Sequence, residues 1–288
     1  MVVDDASTDR SLALLRELAA KSPVPMRITR NRERLGPVRS FEIAIALTTS
    51  EIVLLCDQDD IWSANKIERM VSELESEPQL LLLHSDARLI DAGARPLRGS
   101  LFDRLAPSRY ERRLAERGDW LAVLLRRNFV TGATTALRRS LFELARPLPD
   151  LFLHDEWLGL IAAALGASRR IDEALIDYRI HAANYAGLRG AGFRARLRAM
   201  TSPRGKYHRD RAQKLESLAL RVENLGARVE PFRRELVRQS LEHWHRRAGL
   251  PSARIARAPI ILEELVSHRY GRYSSGLRSA LRDLIEPT

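Results

Sequence analysis

Three carboxylates lie within four residues of the sequence, at Asp57, Asp59 and Asp60, directly after the apolar run 52–56. A continuous apolar run of this length suits one buried strand, and ligands of an open α/β sheet bind beyond the carboxyl ends of its strands. Carboxylates this close repel each other unless a cation is present, and hard oxygen ligands suit Mg²⁺ or Mn²⁺. The segment therefore predicts a divalent metal site facing a diphosphate. A solvated acidic turn before the next helix is an alternative of equal weight.

A second acidic pair, Asp4 and Asp5, also follows a strand-like stretch, at residues 1–3. The structural alternative is a capping turn, a role suited to Ser7 or Thr8. Two adjacent parallel strands that both end in carboxylates would form a cleft for a nucleotide and a metal ion.

A third cluster, His154, Asp155, Glu156 and Trp157, stands at the start of an apolar helix. The helix dipole favours carboxylates there, which is a sufficient structural explanation. Asp155 would equally suit a general base that removes a proton from an acceptor hydroxyl. Further along, His181 follows a strand-like stretch. A lone histidine there is more often structural, but beside an acidic site it becomes a candidate third metal ligand.

The first two thirds of the chain supply elements that can position these clusters. Strand-like runs fall at 1–3, 26–29, 51–56, 80–84, 134–137 and 170–178, and helix-like runs at 10–21, 37–47, 64–75, 119–127 and 154–165. This alternation predicts an α/β fold with a mainly parallel sheet. Residues 95–118 are rich in Arg and contain Pro96 and Pro107, so we expect a loop or an acceptor-side insertion there.

The net charge of +11 is concentrated in the last third, because residues 189–288 hold 22 of the 48 Lys and Arg residues but only 10 of the 37 Asp and Glu residues. We expect two parts, a catalytic domain over 1–187 and a basic, mostly helical region over 188–288. A single cysteine excludes an internal disulfide, and no apolar run approaches the ~20 residues needed to cross a bilayer. These features indicate a cytoplasmic protein.

The motifs, taken in order, resemble those of family 2 glycosyltransferases with the GT-A fold, with the closest likeness to bacterial rhamnosyltransferase-like members. The likeness covers about residues 1–187. It consists of Val-Val-Asp-Asp-Ala-Ser-Thr-Asp at 2–9, the loop and helix at 31–46, Leu-Leu-Cys-Asp-Gln-Asp-Asp-Ile-Trp at 54–62, Ser-Asp at 85–86 with Asp91, Thr-Gly-Ala-Thr at 131–134, His-Asp-Glu-Trp at 154–157 and Tyr-Arg-Ile-His at 178–181.

The resemblance implies roles on the donor side of the reaction. Asp4 or Asp5 would hydrogen-bond the nucleobase or ribose. Asp57 would lie near the ribose and the metal, and Asp59 would bind the metal under the diphosphate. His181 matches a position from which some relatives add a metal ligand.

Further positions are implied for the sugar and the acceptor. Arg39 belongs to the loop and helix associated with donor binding, and Thr131 and Gly132 would line the sugar site. Asp155 matches the catalytic base. Glu156 and Trp157 would contact the acceptor, although core packing is an equal alternative for the tryptophan.

The implied function is transfer of a sugar, with rhamnose from dTDP-rhamnose as a candidate, from a dTDP- or UDP-linked donor to a cell-surface polysaccharide or a lipid-linked glycan. One displacement would invert the anomeric configuration. Relatives begin with a further strand and helix, so we expect this chain to lack the first βα unit. The alternatives are a non-catalytic binding or scaffold protein and a nucleotidyltransferase. The latter is disfavoured because no Gly-rich phosphate loop with a paired lysine occurs.

The basic region after residue 188 allows three interpretations. Peripheral contact with an anionic membrane at its inner face fits a lipid-linked acceptor, since each Lys or Arg near such a surface gains about 1 kcal/mol. A helical packing region with solvated Arg side chains fits equally well. Nucleic acid binding ranks below both, because no nucleic-acid motif occurs.

Overall fold

The computed structural model describes residues 1–180 and 205–286. The strands are β1 (Val2–Asp4), β2 (Ile28–Arg30), β3 (Ile52–Leu54), β4 (Ile61–Trp62), β5 (Leu82–Ile90), β6 (Pro96–Ser100), β7 (Thr135–Arg138) and β8 (Ser168–Arg179). Helices within residues 1–180 are α1 (Ser11–Lys21), α2 (Gly36–Ala46), α3 (Lys66–Ser76), α4 (Leu101–Leu105), α5 (Arg109–Glu116), α6 (Trp120–Leu124), α7 (Arg139–Ala145) and α8 (His154–Ala164). Helices within residues 205–286 are α9 (Gly205–Leu225), α10 (Pro231–Ala248), α11 (Arg254–Val266), α12 (Arg269–Tyr273) and α13 (Leu277–Ile285).

The strands form two sheets of mixed direction. β1 and β2 pair in parallel, and the larger sheet has the order β3-β7-β5-β8-β4, with β6 added beside β5. In the larger sheet β5 and β8 run parallel, whereas the pairs β3–β7, β5–β7, β4–β8 and β5–β6 are antiparallel. The α/β class is confirmed, but the sheet is not mainly parallel. A buried strand is apolar in either direction, so the sequence pattern does not report the direction of pairing.

Residues 96–116 form regular structure where the sequence predicted a loop. β6 pairs with β5, and two short helices follow it. The side chain of Ser100 accepts from the backbone of Asp103 and that of Ser108 from the backbone of Glu111, and each acidic side chain accepts in return from the serine backbone. These are two capping boxes, each satisfying two backbone donors that a helix start leaves unpaired. The Ser-x-x-Asp and Ser-x-x-Glu spacings were the signal that the prediction missed.

The main apolar core joins the sheet to helices from both ends of the chain. Every residue of α8 is buried, and after its charged first turn the helix is apolar on all sides. The same core cluster contains Leu158 and Ile161 of α8, Leu215 and Leu218 of α9, and Trp244 of α10. The predicted domain boundary near residue 187 lies outside the described residues, but helices on its two sides share this core. No helix in the described residues is both long and apolar enough to cross a membrane.

Candidate active site

The acidic segment lies just after β3, as the sequence predicts, and burial dominates its electrostatics. Burial raises the pKa of Asp57, and the charges of Asp59 and Asp155 raise it further. Burial also raises the pKa of Asp60, to about 6, although its Oδ1 accepts a hydrogen bond of 2.9 Å from the backbone N–H of Arg179. Within residues 1–180 and 205–286, the buried Oδ2 of Asp60 has no hydrogen-bond partner. The segment thus concentrates carboxylates in a poorly solvated place.

Lys66 is a charged residue of this site that sequence analysis did not single out. It is fully buried at the start of α3. Its Nζ donates to the carbonyl oxygen of Ala133 at 2.6 Å and lies 4.1 Å from the ring centroid of Trp62. Burial lowers the pKa of Lys66 to about 8, against the attraction of Asp60 and Asp57. The lysine therefore ties the acidic segment to the turn that precedes β7.

Asp155 occupies the first turn of α8 and is 6% exposed. Its Oδ2 accepts from the backbone N–H of Gly132 at 2.8 Å, and its Oδ1 accepts from the backbone N–H of Glu156 at 2.6 Å. Burial raises the pKa of Asp155 to about 6, and these hydrogen bonds oppose the rise. At pH 7 the group is therefore mostly ionised, yet it is a stronger base than an ordinary aspartate.

The charges of the acidic groups act on two aromatic side chains, His154 and Tyr178. The imidazole of His154 stacks on Phe41 with ring centroids 3.8 Å apart, and burial lowers the pKa of His154 to about 4. In the described part of the chain, neither ring nitrogen of His154 has a hydrogen-bond partner. Burial raises the pKa of Tyr178, and its phenol also feels the charges of Asp57, Asp60, Asp59 and Asp155.

The predicted donor-side residues near the N-terminus are engaged within the protein. Asp4 is 4% exposed and pairs with Arg30 at 3.3 Å. Asp5 accepts from Asn31 Nδ2 and from the backbone N–H groups of Leu35 and Gly36, each at 2.8 Å. These hydrogen bonds lower the pKa of Asp5 although burial acts to raise it. Asp5 therefore fixes the loop that leads into α2, whereas the expected cap of α1 by Ser7 or Thr8 is not formed, since Arg10 occupies its N-cap position without a side-chain hydrogen bond.

Arg39 lies on α2, and its guanidinium contacts two carboxylates. Nη1 is 2.5 Å from Glu42, and Nη2 is 2.9 Å from Asp150. The bond to Glu42 is the main reason why the pKa of Arg39 is raised. The residue thus links α2 to the loop before α8 in this structure.

The predicted sugar-site residues lie directly against the candidate base. The carbonyl oxygen of Thr131 accepts from the hydroxyls of Thr134 and Thr135, at 2.8 and 2.9 Å, and this folds the turn. This turn directs the backbone N–H of Gly132 toward the carboxylate of Asp155. A Cβ atom built on Gly132 would lie 2.7 Å from Nε2 of His154, so a side chain cannot fit there.

The two predicted acceptor residues do not face an open cleft. Trp157 is 1% exposed, and its Nε1 donates to the carbonyl oxygen of Ala145 at 2.8 Å. The core-packing alternative therefore holds for Trp157. The carboxylate of Glu156 pairs with Lys214 at 2.6 Å and with Arg211 at 3.4 Å, both on α9. Both side chains bond to partners inside the protein, so the structure does not favour their contact with an acceptor.

The remaining predicted metal ligand, His181, lies outside the described residues. Among the described ones, no group of three or more His, Cys, Asp or Glu side chains is already arranged as a metal centre. The chemistry of Asp57, Asp59 and Asp60 nevertheless suits a divalent cation, because hard carboxylate oxygens are close together and Asp60 Oδ2 is buried without a partner.

A mixed α/β sheet backed by helices, with one acidic segment after β3 and a second at the buried start of α8, is typical of the GT-A fold. The glycosyl transferase family 2 profile matches residues 1–144, half of the chain, and the chain belongs to this family. The solved structure of residues 1–349 of TarS from S. aureus has a TM-score of 0.51 to this chain at 16% identity. The match covers 85% of this chain and 61% of that one, and it shows the fold.

The chain also matches curated proteins by sequence. Over 191 residues the chain is 26% identical to an uncharacterized glycosyltransferase of Nostoc sp., covering 64% of this chain and 56% of the relative. Over 185 residues it is 25% identical to an uncharacterized protein of Mycobacterium tuberculosis, covering 63% and 50%. The chain thus spans about half the length of the curated relatives it matches.

Proposed function

We propose that this chain transfers a sugar from a nucleoside-diphosphate sugar to a hydroxyl group of an acceptor, with inversion at the anomeric carbon. The observation that carries the proposal is the arrangement of Asp155. This buried carboxylate is held by Gly132 and has a pKa raised to about 6, and its charge raises the pKa of Asp57. A base beside a donor-binding acidic segment is what a single displacement requires.

In this mechanism Asp155 accepts the proton of the acceptor hydroxyl. The hydroxyl oxygen attacks the anomeric carbon from the face opposite the leaving diphosphate, which inverts the configuration. The N–H groups of Gly132 and Glu156 hold the two carboxylate oxygens of Asp155, so the base keeps one orientation through the reaction. Its raised pKa strengthens it for proton abstraction near neutral pH.

We assign the donor diphosphate to the segment that contains Asp57 and Asp59, held with Mg²⁺ or Mn²⁺. Such a cation would offset the charge that develops on the departing diphosphate. The buried Oδ2 of Asp60 supports a cation here, as do the raised pKa values of Asp57 and Asp60, which burial and neighbouring carboxylate charges cause. His181 stays a proposed further ligand. Asp4 or Asp5 is the proposed nucleobase or ribose contact, although both carboxylates also have partners within the protein.

For the donor we propose a dTDP- or UDP-linked sugar, with rhamnose as the first candidate. For the acceptor we propose a growing cell-surface polysaccharide or a lipid-linked glycan. Transfer of a sugar to a lipid-linked acceptor would require a cytoplasmic protein that contacts the inner face of the membrane peripherally. The positive charge of residues 189–288 supports such contact, since anionic lipids attract it.

Calorimetric titration of UDP and dTDP, with and without Mn²⁺, tests the proposal. We expect Mn²⁺-dependent binding of one nucleotide, which Asp59→Ala abolishes and which Asp172→Ala preserves, because the Asp172 side chain is 82% exposed on the surface. Asp155→Asn should keep nucleotide binding and lose sugar transfer. Absence of nucleotide binding by a folded wild-type chain would refute the transferase and favour a binding or scaffold protein.

A further inference from the structure

A large cavity lies apart from the candidate active site, between α5, the turn after α6 and the helices α10, α12 and α13. Its volume is about 1020 Å³, and none of the predicted catalytic or donor-binding residues lines it. This volume is at the upper end of the range for small-molecule sites. Its lining includes six arginines: Arg126, Arg127, Arg247, Arg272, Arg278 and Arg282.

The positive charge of this cavity is only partly offset. Glu111 is the one carboxylate in the lining formed by described residues, and it lies 3.2 Å from Arg126 and 3.4 Å from Arg127. Arg247 pairs with Asp283 at 2.7 Å, from behind the lining. The cavity wall therefore keeps an excess of cations even after these pairs are counted.

Two of the arginines are available to a ligand. Arg272 and Arg278 are both exposed. Neither makes a side-chain hydrogen bond or ion pair with any residue in the ranges 1–180 and 205–286. A guanidinium group is a planar fork of donors that matches phosphate oxygens in pairs. Two such groups at one cavity would therefore hold a phosphate more firmly than scattered surface charges can.

Buried donors near the same wall point to an anion as well. Arg247 is 2% exposed, and within the described part of the chain its Nη1 is buried without a hydrogen-bond partner. Helix α13 begins after Gly276, which has φ of 60° and gives no side-chain cap. The first backbone N–H groups of α13, on Leu277 and Arg278, thus lack the partner that a cap would supply, and helix starts of this kind attract anions.

The cavity also offers ring surfaces to the rest of a ligand. Tyr110 and Tyr207 line it and are 43% and 54% exposed, and Trp244 lies in the same wall. Aromatic side chains pack well against sugar or hydrocarbon groups. We propose that this cavity binds an organic phosphate ester, with Arg272 and Arg278 holding its phosphate and the exposed rings of Tyr110 and Tyr207 contacting its organic part. The phosphate belongs either to a soluble ester or to a lipid headgroup.

The first experiment measures binding of inorganic diphosphate to the full chain by calorimetry in EDTA, so that no divalent cation can recruit it to the acidic site. The double variant Arg272→Gln/Arg278→Gln should weaken binding by about tenfold or more, which corresponds to about 1.4 kcal/mol. The control Arg228→Gln/Arg254→Gln removes the same charge from two other exposed arginines outside the lining, and should change affinity less than about twofold. Equal weakening in both double variants, or no binding by wild type, would overturn the proposal.

The second experiment identifies the source of the phosphate, using flotation with vesicles of phosphatidylglycerol or of phosphatidylcholine. Loss of phosphatidylglycerol binding in Arg272→Gln/Arg278→Gln alone, together with competition by diphosphate, would assign a lipid headgroup. Unchanged vesicle binding in a variant that has lost diphosphate binding would assign a soluble ester. Both assignments support the cavity as the site, whereas a variant that keeps both kinds of binding contradicts it.

Discussion

The ion-paired carboxylate beside the proposed base gives the sharpest test of the site. Glu156 is 9% exposed, and its charge raises the pKa of Asp155. Lys214 and Arg211 hold it at 2.6 and 3.4 Å, and Arg211 also donates to the carbonyl oxygen of Leu125 at 2.9 Å. The substitution Glu156→Gln keeps the shape of this side chain and removes its charge. It should therefore affect both stability and the base.

The two effects have different expected sizes. Breaking one partner of a buried ion pair costs about 3–5 kcal/mol. Gln keeps an acceptor and Lys214 is 26% exposed, so we expect a loss of about 2 kcal/mol in the free energy of unfolding. The pKa of Asp155 rises from 3.8 to about 6 with burial as the first cause, so the charge of Glu156 accounts for the smaller part. Without it, and with Arg211 and Lys214 no longer neutralised, that pKa should fall by about 0.5.

A pH profile of kcat/KM for sugar transfer measures the second effect, and urea unfolding measures the first. Activity should fall as pH drops through the pKa of Asp155, because the base becomes protonated. A lower pKa in Glu156→Gln moves this acid limb to lower pH. The control is Glu143→Gln, since Glu143 lies 3.5 Å from Arg139 and Arg146 at an exposed place and should change neither measurement appreciably. An acid limb that stays in place or moves to higher pH would refute the proposed role of Asp155 and its coupling to Glu156.

Three further outcomes are expected. Gly132→Ala would place a Cβ 2.7 Å from Nε2 of His154, so it should lower stability in urea unfolding by about 1–3 kcal/mol and turnover by at least about tenfold. The control Gly271→Ala has open space around the added Cβ and should change neither quantity. Wild-type behaviour of Gly132→Ala would contradict the packing described. Burial holds the pKa of His84 at about 3, below the 6.5 of the unfolded chain, so the wild-type protein loses stability as pH falls below 6.5. His84→Leu lacks this loss, so its free energy of unfolding minus that of wild type should increase by about 2 kcal/mol from pH 8 to pH 5. A difference that does not change with pH would contradict this. Mn²⁺ should raise the melting temperature more at pH 7.5 than at pH 5, because Asp60, with a pKa raised to about 6, must ionise to help bind a cation. An increase that does not depend on pH, or one that Asp59→Ala retains, would argue against the metal site.

The parts of the fold that depend on local pattern could be predicted from the sequence. The acidic segment after β3 and the charged start of α8 were both located, since an apolar run followed by carboxylates is visible in the chain itself. The rule that strand ends gather ligands predicted that Asp4 and Asp5 would meet the acidic segment across two adjacent parallel strands, but β1 pairs with β2 in a sheet separate from that of β3. The direction of strand pairing was predicted wrongly because it depends on contacts between distant segments.

The site residues that were missed, or whose partners were not foreseen, are those whose role depends on burial by distant neighbours. Lys66 appears in the sequence as an ordinary helix lysine, and only the carbonyl of Ala133 gives it a buried partner. Glu156 meets Lys214, 58 residues further along the chain. Trp157 was assigned equally to the core and to the acceptor, and its bond to Ala145 settles it in the core. No spacing rule connects such pairs, so they follow only from the tertiary structure.

The apolar core shared by α8, α9 and α10 affects how the protein can be made. The residues of α9 and α10 that share this core with α8, among them Leu215, Leu218 and Trp244, leave the ribosome long after the proposed base has been synthesised. Until then the nascent chain exposes an apolar helix to solvent and to chaperones. A gene fragment that ends near residue 180 would encode the described part of the proposed catalytic site, yet we expect its product to aggregate rather than yield a smaller enzyme.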